Sequence, residues 1–351
     1  VRTWANARPA ALTYREVVAA HLEVLTEFID PAAGTASQLD LVGSVLGEWA
    51  DEPVSRWDQH HSFAANDGSP VEFSFAMSRC AAEARLLFEP LDPTRPATSQ
   101  AGHQFIARLD DVGVDVSRFR RVEDLFAGPW SGPFSMLCSA ALKATGSPLF
   151  KVYLNPTVGG RAPQEVVEAA MSRLGLGAPW SRVAAQLGGF GLPSKEIALF
   201  ALDLGHSSDA RVKVYLRHTA CGPEAVERVA ELADDHQPDL FAKILGRLYG
   251  GSAGSLAKAP MTCLSFQGNR PASVTLYCPL DPNVGNDLEA SARVVDLLEM
   301  AGIAPELFSA LATAISGPDL ARGRRLSWLS YKRPADPVVT IYAGLDGPQA
   351  T

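Results

Sequence analysis

Tyrosine recurs in this chain at a spacing longer than any one helix or hairpin. Tyr153, Tyr215 and Tyr277 stand 62 residues apart, and Tyr342 follows 65 residues later. Each ends an alternating stretch: "FKVYLNP", "ARVKVYLRH", "VTLYCPL" and "PVVTIYAG". Two residues before each tyrosine stands Lys151, Lys213, Thr275 or Thr340, and Arg85 in "EARLLFEPL" lies 66 residues before Lys151. Residues i and i+2 share one face of a strand, so each stretch presents a polar side chain, four times followed by tyrosine on that face. A pattern recurring at a fixed period marks an internal repeat, here fivefold.

Each of these strands has a partner just before it. "PVEFSFAMS", "FSMLCSAALKA", "EIALFALDL", "MTCLSFQ" and "RLSWLSYK" precede them across short polar turns, including "TGSP", "GHSSD", "GNRP" and "RPAD". Helical periodicity fills the intervals, as in "APQEVVEAAMSRLG", "GPEAVERVAELA", "PDLFAKILGRLYG" and "NDLEASARVVDLLEMAG". Upstream, Thr13 and Glu16 have capping-box spacing and predict a helix running to about Phe28, with a second over Ala36 to Trp49. The unit is therefore α-α-β-β, repeated five times within one domain spanning 1–351.

Opposite the polar face, the strands carry Phe150, Val152 and Leu154; Val212, Val214 and Leu216; Val274, Leu276 and Cys278; and Val339 and Ile341. Helices need such an apolar face to pack on. Ten antiparallel strands from five hairpins would expose two edges unless they closed. The prediction is a closed barrel with helices outside and a solvent-filled polar lumen into which Arg85, Lys151, Arg211, Lys213 and the tyrosines project.

Cations gathered in one enclosed space repel, and removal from water makes that worse. Such a cluster is consistent with a polyvalent anion, and diphosphate fits. The alternative is a solvated strand face neutralised by Asp and Glu, which leaves the tyrosine ladder without a role. Stacked rings stabilise a cation through their π faces, so the combination points to ionisation of an allylic diphosphate.

With 351 residues, 47% of them hydrophobic, the chain can bury a large core, and a net charge of −8 argues against nucleic acid as partner. No apolar run approaches a membrane span, and "VRTWANARPAALTYREV" lacks a signal-peptide core. Cys80, Cys138, Cys221, Cys263 and Cys278 form no CxxC, so neither a disulfide framework nor zinc is expected, and the expected location is the cytoplasm.

The stretches "PVEFSFAMS", "EARLLFEPL", "FKVYLNP", "DARVKVYLRH" and "VTLYCPL" resemble the aromatic prenyltransferases of the dimethylallyltryptophan synthase family, whose ABBA fold is a ten-stranded antiparallel barrel ringed by helices. The similarity extends over nearly the whole chain, at the length of the shorter bacterial members. It implies transfer of a dimethylallyl group from dimethylallyl diphosphate to the indole of tryptophan or a derivative, without Mg2+ or another cofactor, in a monomer or homodimer of secondary metabolism. It further implies that Arg85, Lys151, Arg211 and Lys213 bind diphosphate, that Tyr153, Tyr215 and Tyr277 shield the carbocation, and that Glu72 accepts the indole N–H. Tyr342 would close the shield, and Arg333 or Lys332 would add a phosphate contact. Thr275 stands where many relatives have glutamine, so its hydroxyl would donate with less reach. Two rival readings stay open: a phenolic or polyketide acceptor on the same fold, and a non-catalytic barrel that binds a phosphorylated metabolite.

Other motifs carry less. Asp234, Asp235 and Asp239 in "ADDHQPD" suggest a magnesium motif, but a proline lies among them between two helices, and a solvated connection is expected. "LGGFGLPSKE" and "YGGSAGSLAK" match no phosphate-loop spacing, and His60–His61 lacks a third ligand nearby. Glu72 read without the resemblance would be a surface residue at a strand start.

Overall fold

The computed structural model describes residues 12–29, 36–56, 62–91, 99–128, 134–144, 146–191, 196–205, 210–219, 222–250, 255–268, 270–332 and 336–345. His60, His61, Cys221 and Arg333 lie outside them. Five α-α-β-β units follow one another. Helices α1 (Tyr14–Glu27) and α2 (Ala36–Leu46) precede strands β1 (Val71–Met77) and β2 (Ala82–Phe88). Then come α3 (Ser99–Asp111), α4 (Ser117–Arg120), β3 (Met136–Leu142) and β4 (Leu149–Leu154). The third unit is α5 (Pro163–Arg173), α6 (Gly177–Gly189), β5 (Ile197–Asp203) and β6 (Val212–Arg217). The fourth is α7 (Pro223–Ala230), α8 (Leu240–Tyr249), β7 (Met261–Phe266) and β8 (Pro271–Pro279). The last is α9 (Asp287–Met300), α10 (Glu306–Ser316), β9 (Leu326–Lys332) and β10 (Val338–Ala343).

Every strand pairs antiparallel with its sequence neighbour, and β1 pairs with β10 through registers such as Ser74↔Tyr342, so the sheet closes into a ten-stranded barrel without a free edge. Hairpins dictate the antiparallel order, and closure satisfies the edge N–H and C=O groups that would otherwise be left open. On the outer face, Phe73, Phe75, Phe88, Phe150, Phe200 and Phe266 are fully buried beneath the helices, beside Leu22, Phe105, Trp180 and Phe308. Each such side chain contributes about 1.5–3 kcal/mol on burial, which fixes the apolar face outward toward the helices and the polar face inward.

The capping box forms as expected: Thr13 Oγ1 accepts from Glu16 N at 3.2 Å, and Thr13 N donates to Glu16 Oε2 at 2.8 Å. Helix α2 is shorter than its periodicity suggests, ending at Leu46 rather than Trp49. Gly47 follows with φ +95°, where a Cβ would also meet the Arg108 guanidinium, and a 3₁₀ turn then spans Glu48–Asp51. No helix among the described residues is long and apolar enough to cross a membrane. Cys80, Cys138, Cys263 and Cys278 are free thiols.

Candidate active site

Strand pairing gives the inward face residue by residue. Ser139 stands opposite Lys151, Lys151 opposite Asp203, Ala201 opposite Lys213, Lys213 opposite Ser265, Cys263 opposite Thr275, and Thr275 opposite Lys332. Glu72, Ser74, Arg85, Tyr153, Tyr215, Tyr277 and Tyr342 share that face. The even-numbered strands β4, β6, β8 and β10 bring the four tyrosines into one continuous arc. Ring centroids are 5.9 Å apart for Tyr153–Tyr215, 5.5 Å for Tyr215–Tyr277 and 6.1 Å for Tyr277–Tyr342, each pair tilted. The Tyr215 and Tyr277 hydroxyls are 3.5 Å apart, and Tyr342 Oη lies 3.3 Å from Ser330 Oγ.

The row beside this arc, two residues earlier on β4 and β6, is basic. Lys151 and Lys213 are only 7% and 8% exposed. Burial, reinforced by each lysine's cationic neighbours, lowers both ammonium pKa values, that of Lys151 far below the usual lysine range. Lys332, half-buried, is lowered to about 8 by burial and by Arg211 and Lys213 beside it. It is therefore Lys332 that the barrel turns toward this cluster, while Arg333 lies outside the described residues.

The cluster also contains two carboxylates, Asp203 and Glu83, that the sequence pattern does not single out. Asp203, 2% exposed, accepts from Arg211 Nε at 2.7 Å and from Lys213 Nζ at 3.1 Å. Burial would raise its pKa, but Lys213, Lys151 and Arg211 together outweigh that and hold the carboxyl well below the usual carboxylate range. Glu83 Oε1 accepts from Arg85 Nε at 2.6 Å, and Arg85 Nη1 reaches Thr340 Oγ1 at 3.5 Å. The cations are thus partly neutralised by acids, as the solvated-face alternative held, but in a buried setting together with the tyrosine arc. Alternation along β5 through Leu199 and Ala201 carries the signal for Asp203, since all three share a face.

The lumen is not polar throughout. Leu137, Leu199, Ala201, Tyr215 and Cys263 form a second apolar cluster with Ala64 and Phe134, flanked by Leu87, Tyr153 and Tyr277. Phe63 stacks on Phe134 with centroids 5.1 Å apart. Phe63, Ala64 and Phe134 come from loops, where no strand period announces an inward position.

Glu72 belongs to a separate acidic site. It is 5% exposed, and Ser327 Oγ donates to its Oε1 at 2.8 Å. Burial raises its pKa to about 7 against the opposing pull of Ser327 and Lys258. Ser327 reaches it because Tyr342 pairs with Trp328 but Ala343 with Leu326, leaving Ser327 as the extra residue of a β-bulge. Lys258 Nζ sits 4.6 Å from the Trp328 ring centroid and donates to Asn66 Oδ1 at 2.5 Å, and Asn66 Nδ2 donates to Asp281 Oδ2 at 3.2 Å. Tyr342 stands opposite Ser74, which in turn stands opposite Arg85 and two residues from Glu72 on the same face of β1, so Tyr342 neighbours both the basic cluster and the carboxylate. An anion-holding side, an aromatic arc and the Glu72 carboxylate with its pKa near neutrality can together bind a phosphorylated electrophile, shelter positive charge and accept a proton or an N–H.

Asp234, Asp235 and Asp239 fall in the connection between α7 and α8, where Asp235 Oδ1 accepts from Val274 N at 2.9 Å and Asp234 pairs with Arg270. No group of three or more His, Cys, Asp or Glu able to hold a metal occurs among the described residues.

A family model described as tryptophan dimethylallyltransferase matches residues 16–302. Among solved structures, the chain is similar to 6-dimethylallyltryptophan synthase from Micromonospora olivasterospora in complex with DMASPP and Trp, at 28% identity over 96% of this chain and 100% of that one, with a TM-score of 0.87. It is also similar to 5-dimethylallyl tryptophan synthase from Streptomyces coelicolor in complex with DMASPP and Trp, at 25% identity over 97% of each chain and a TM-score of 0.83. The prenyltransferase PriB, in a ternary complex with L-tryptophan and dimethylallyl thiolodiphosphate, matches at 25% identity over 97% of this chain and 99% of that one, also with a TM-score of 0.83.

Proposed function

We propose that this chain, which belongs to the tryptophan dimethylallyltransferase family, moves a dimethylallyl group from dimethylallyl diphosphate to the indole ring of tryptophan or a tryptophan-derived compound. Arg85, Lys151, Arg211, Lys213 and Lys332 hold the diphosphate, with Thr275 donating a hydroxyl and Arg333 as a further contact. The allylic C–O bond breaks heterolytically, and the electron pair leaves with the diphosphate, whose developing charge the cations stabilise. Tyr153, Tyr215, Tyr277 and Tyr342 present their π faces to the allyl cation and exclude water. An indole carbon attacks the cation, forming the new C–C bond, and loss of the ring proton restores aromaticity. Glu72 accepts the indole N–H and stabilises the charge that spreads onto the ring nitrogen during attack.

The observation that carries this reading is the unbroken Tyr153–Tyr215–Tyr277–Tyr342 arc beside the buried lysines Lys151 and Lys213. A barrel that only stored a phosphorylated metabolite would need the cations but not the arc. With side-chain cations holding the diphosphate, transfer proceeds without a divalent metal. The free thiols among the described residues are in keeping with a reducing cytoplasm, and prenylation of an indole belongs to secondary metabolism. The test is incubation with dimethylallyl diphosphate and a panel of indoles and phenols, read by mass spectrometry. We expect a mass gain of one dimethylallyl unit on indoles. Prenylation of phenols alone would overturn the acceptor assignment, and ligand released unchanged would overturn the activity.

A further inference from the structure

Asp203 stands in the middle of the basic cluster, yet a carboxylate there repels the diphosphate the cluster is read to bind. Its burial at 2% exposure, its place opposite Lys151, and its contacts at 2.7 Å to Arg211 and 3.1 Å to Lys213 make it a built feature of the lumen. We propose that Asp203 is a positioning residue: the internal counter-ion that favours the charged form of Lys213 while the site is empty and yields Lys213 and Arg211 to the diphosphate on binding. This inference rests on the diphosphate-binding reading given above.

The physical argument turns on the difference between the two kinds of cation. A guanidinium keeps its proton under any condition of interest, whereas a buried ammonium surrounded by other cations sheds its proton readily. The groups acting on Lys213 and Lys151 are mostly cationic or neutral: Arg85 from β2, Arg211 on the approach to β6, Cys263 from β7 and Lys332 from β9. The nearby acids are Glu83, which pairs with Arg85 at 2.6 Å and also acts on Lys151, and Asp235, which acts on Lys332 from the connection between α7 and α8. Only Asp203 pairs directly with Lys213 among the described residues. Removing it leaves the Lys213 ammonium without its direct counter-ion until a polyanion arrives. It also takes away a negative charge that competes with that polyanion, so Asp203 tunes the affinity as well as the protonation.

The test is the affinity for inorganic pyrophosphate in metal-free buffer, measured by calorimetry from about pH 6 to about pH 9, for the parent and Asp203→Asn. The ratio of the two affinities cancels the titration of pyrophosphate itself. At about pH 6, the acid end of the range, where protonation of Lys213 costs least in either protein, the variant should come closest to the parent or bind more tightly, since a competing anion is gone. At about pH 9 it should bind about tenfold more weakly or worse, because Lys213 must first be reprotonated without its counter-ion. Adding Lys213→Arg to Asp203→Asn should restore a parent-like pH profile, because a guanidinium stays charged. Parallel affinity curves, or a uniform loss at every pH in a variant that melts like the parent, would overturn the proposal and leave Asp203 as a brace. Asp203→Ser serves as the second variant should the amide disturb folding. A parent that binds no pyrophosphate at all would instead sink the diphosphate reading, and the inference with it.

Discussion

Glu72→Gln isolates charge from shape at the acceptor end of the lumen. Glu72 is buried, accepts from Ser327 Oγ at 2.8 Å, and has its pKa raised to about 7 by burial. A hydrogen bond to a charged group is worth about 1.5–3 kcal/mol and a neutral one about 0.5–1.5, so losing the charge costs about 1–2 kcal/mol. Because the indole N–H becomes more positive as the ring attacks, that difference falls on the chemical step, a loss of about 5- to 30-fold in kcat. Glu72→Ala removes the acceptor altogether, and about 10²-fold is expected. The parent's kcat/KM for tryptophan should rise with pH through a midpoint of about 7 as the carboxylate ionises, whereas the Gln variant should show no such limb. Stability supplies an independent reading. The folded state holds the Glu72 proton more tightly than the unfolded chain does, so its stabilising contribution is full below pH about 4.5 and is lost as pH rises through about 7. That shift corresponds to about 3 kcal/mol. Glu72→Gln has no proton to lose, so its Tm should gain on the parent's between about pH 5 and 8. The assay is steady-state kinetics of parent, Gln and Ala proteins with tryptophan and a phenol, alongside thermal melts across pH. An Ala variant that prenylates tryptophan at the parental rate would remove Glu72 from the mechanism, and with it the principal reason for an indole acceptor.

The neighbouring Ser327→Ala withdraws a donor that favours the carboxylate, so the acid limb of the tryptophan profile should move to higher pH; an unmoved limb would refute the assignment of that limb to Glu72. Lys213→Ala or Arg211→Ala removes a charge-assisted contact of about 1.5–3 kcal/mol, and KM for the allylic diphosphate should rise about tenfold or more. Unchanged kinetics in both variants would place that strand face outside the site. Transfer should survive excess EDTA, and complete loss restored by magnesium would show that protein cations alone do not hold the diphosphate.

Period-two alternation and the recurring tyrosine were enough, in the sequence alone, to give ten strands, five hairpins, a closed barrel and an inward face bearing Lys151, Lys213, Thr275 and the four tyrosines. These are local, repeating properties, and closure follows because a hairpin chain has only two edges to satisfy. The same alternation puts Asp203 on the inward face, but its pairing with Arg211 and Lys213 depends on the register in which β5 and β6 meet. What the sequence could not carry is what arrives from outside the period. Ser327 meets Glu72 only because a β-bulge adds one residue to β9, and Lys258, Asn66, Phe63 and Phe134 come from loops whose positions depend on the whole barrel. The state of Glu72 is likewise undecided in the sequence: as a strand residue it reads as solvated, and only its burial in the closed barrel raises its pKa toward neutrality, against the opposing pull of Ser327 and Lys258. Desolvation is a property of everything within several ångströms of an atom, and most of those neighbours are distant in the chain.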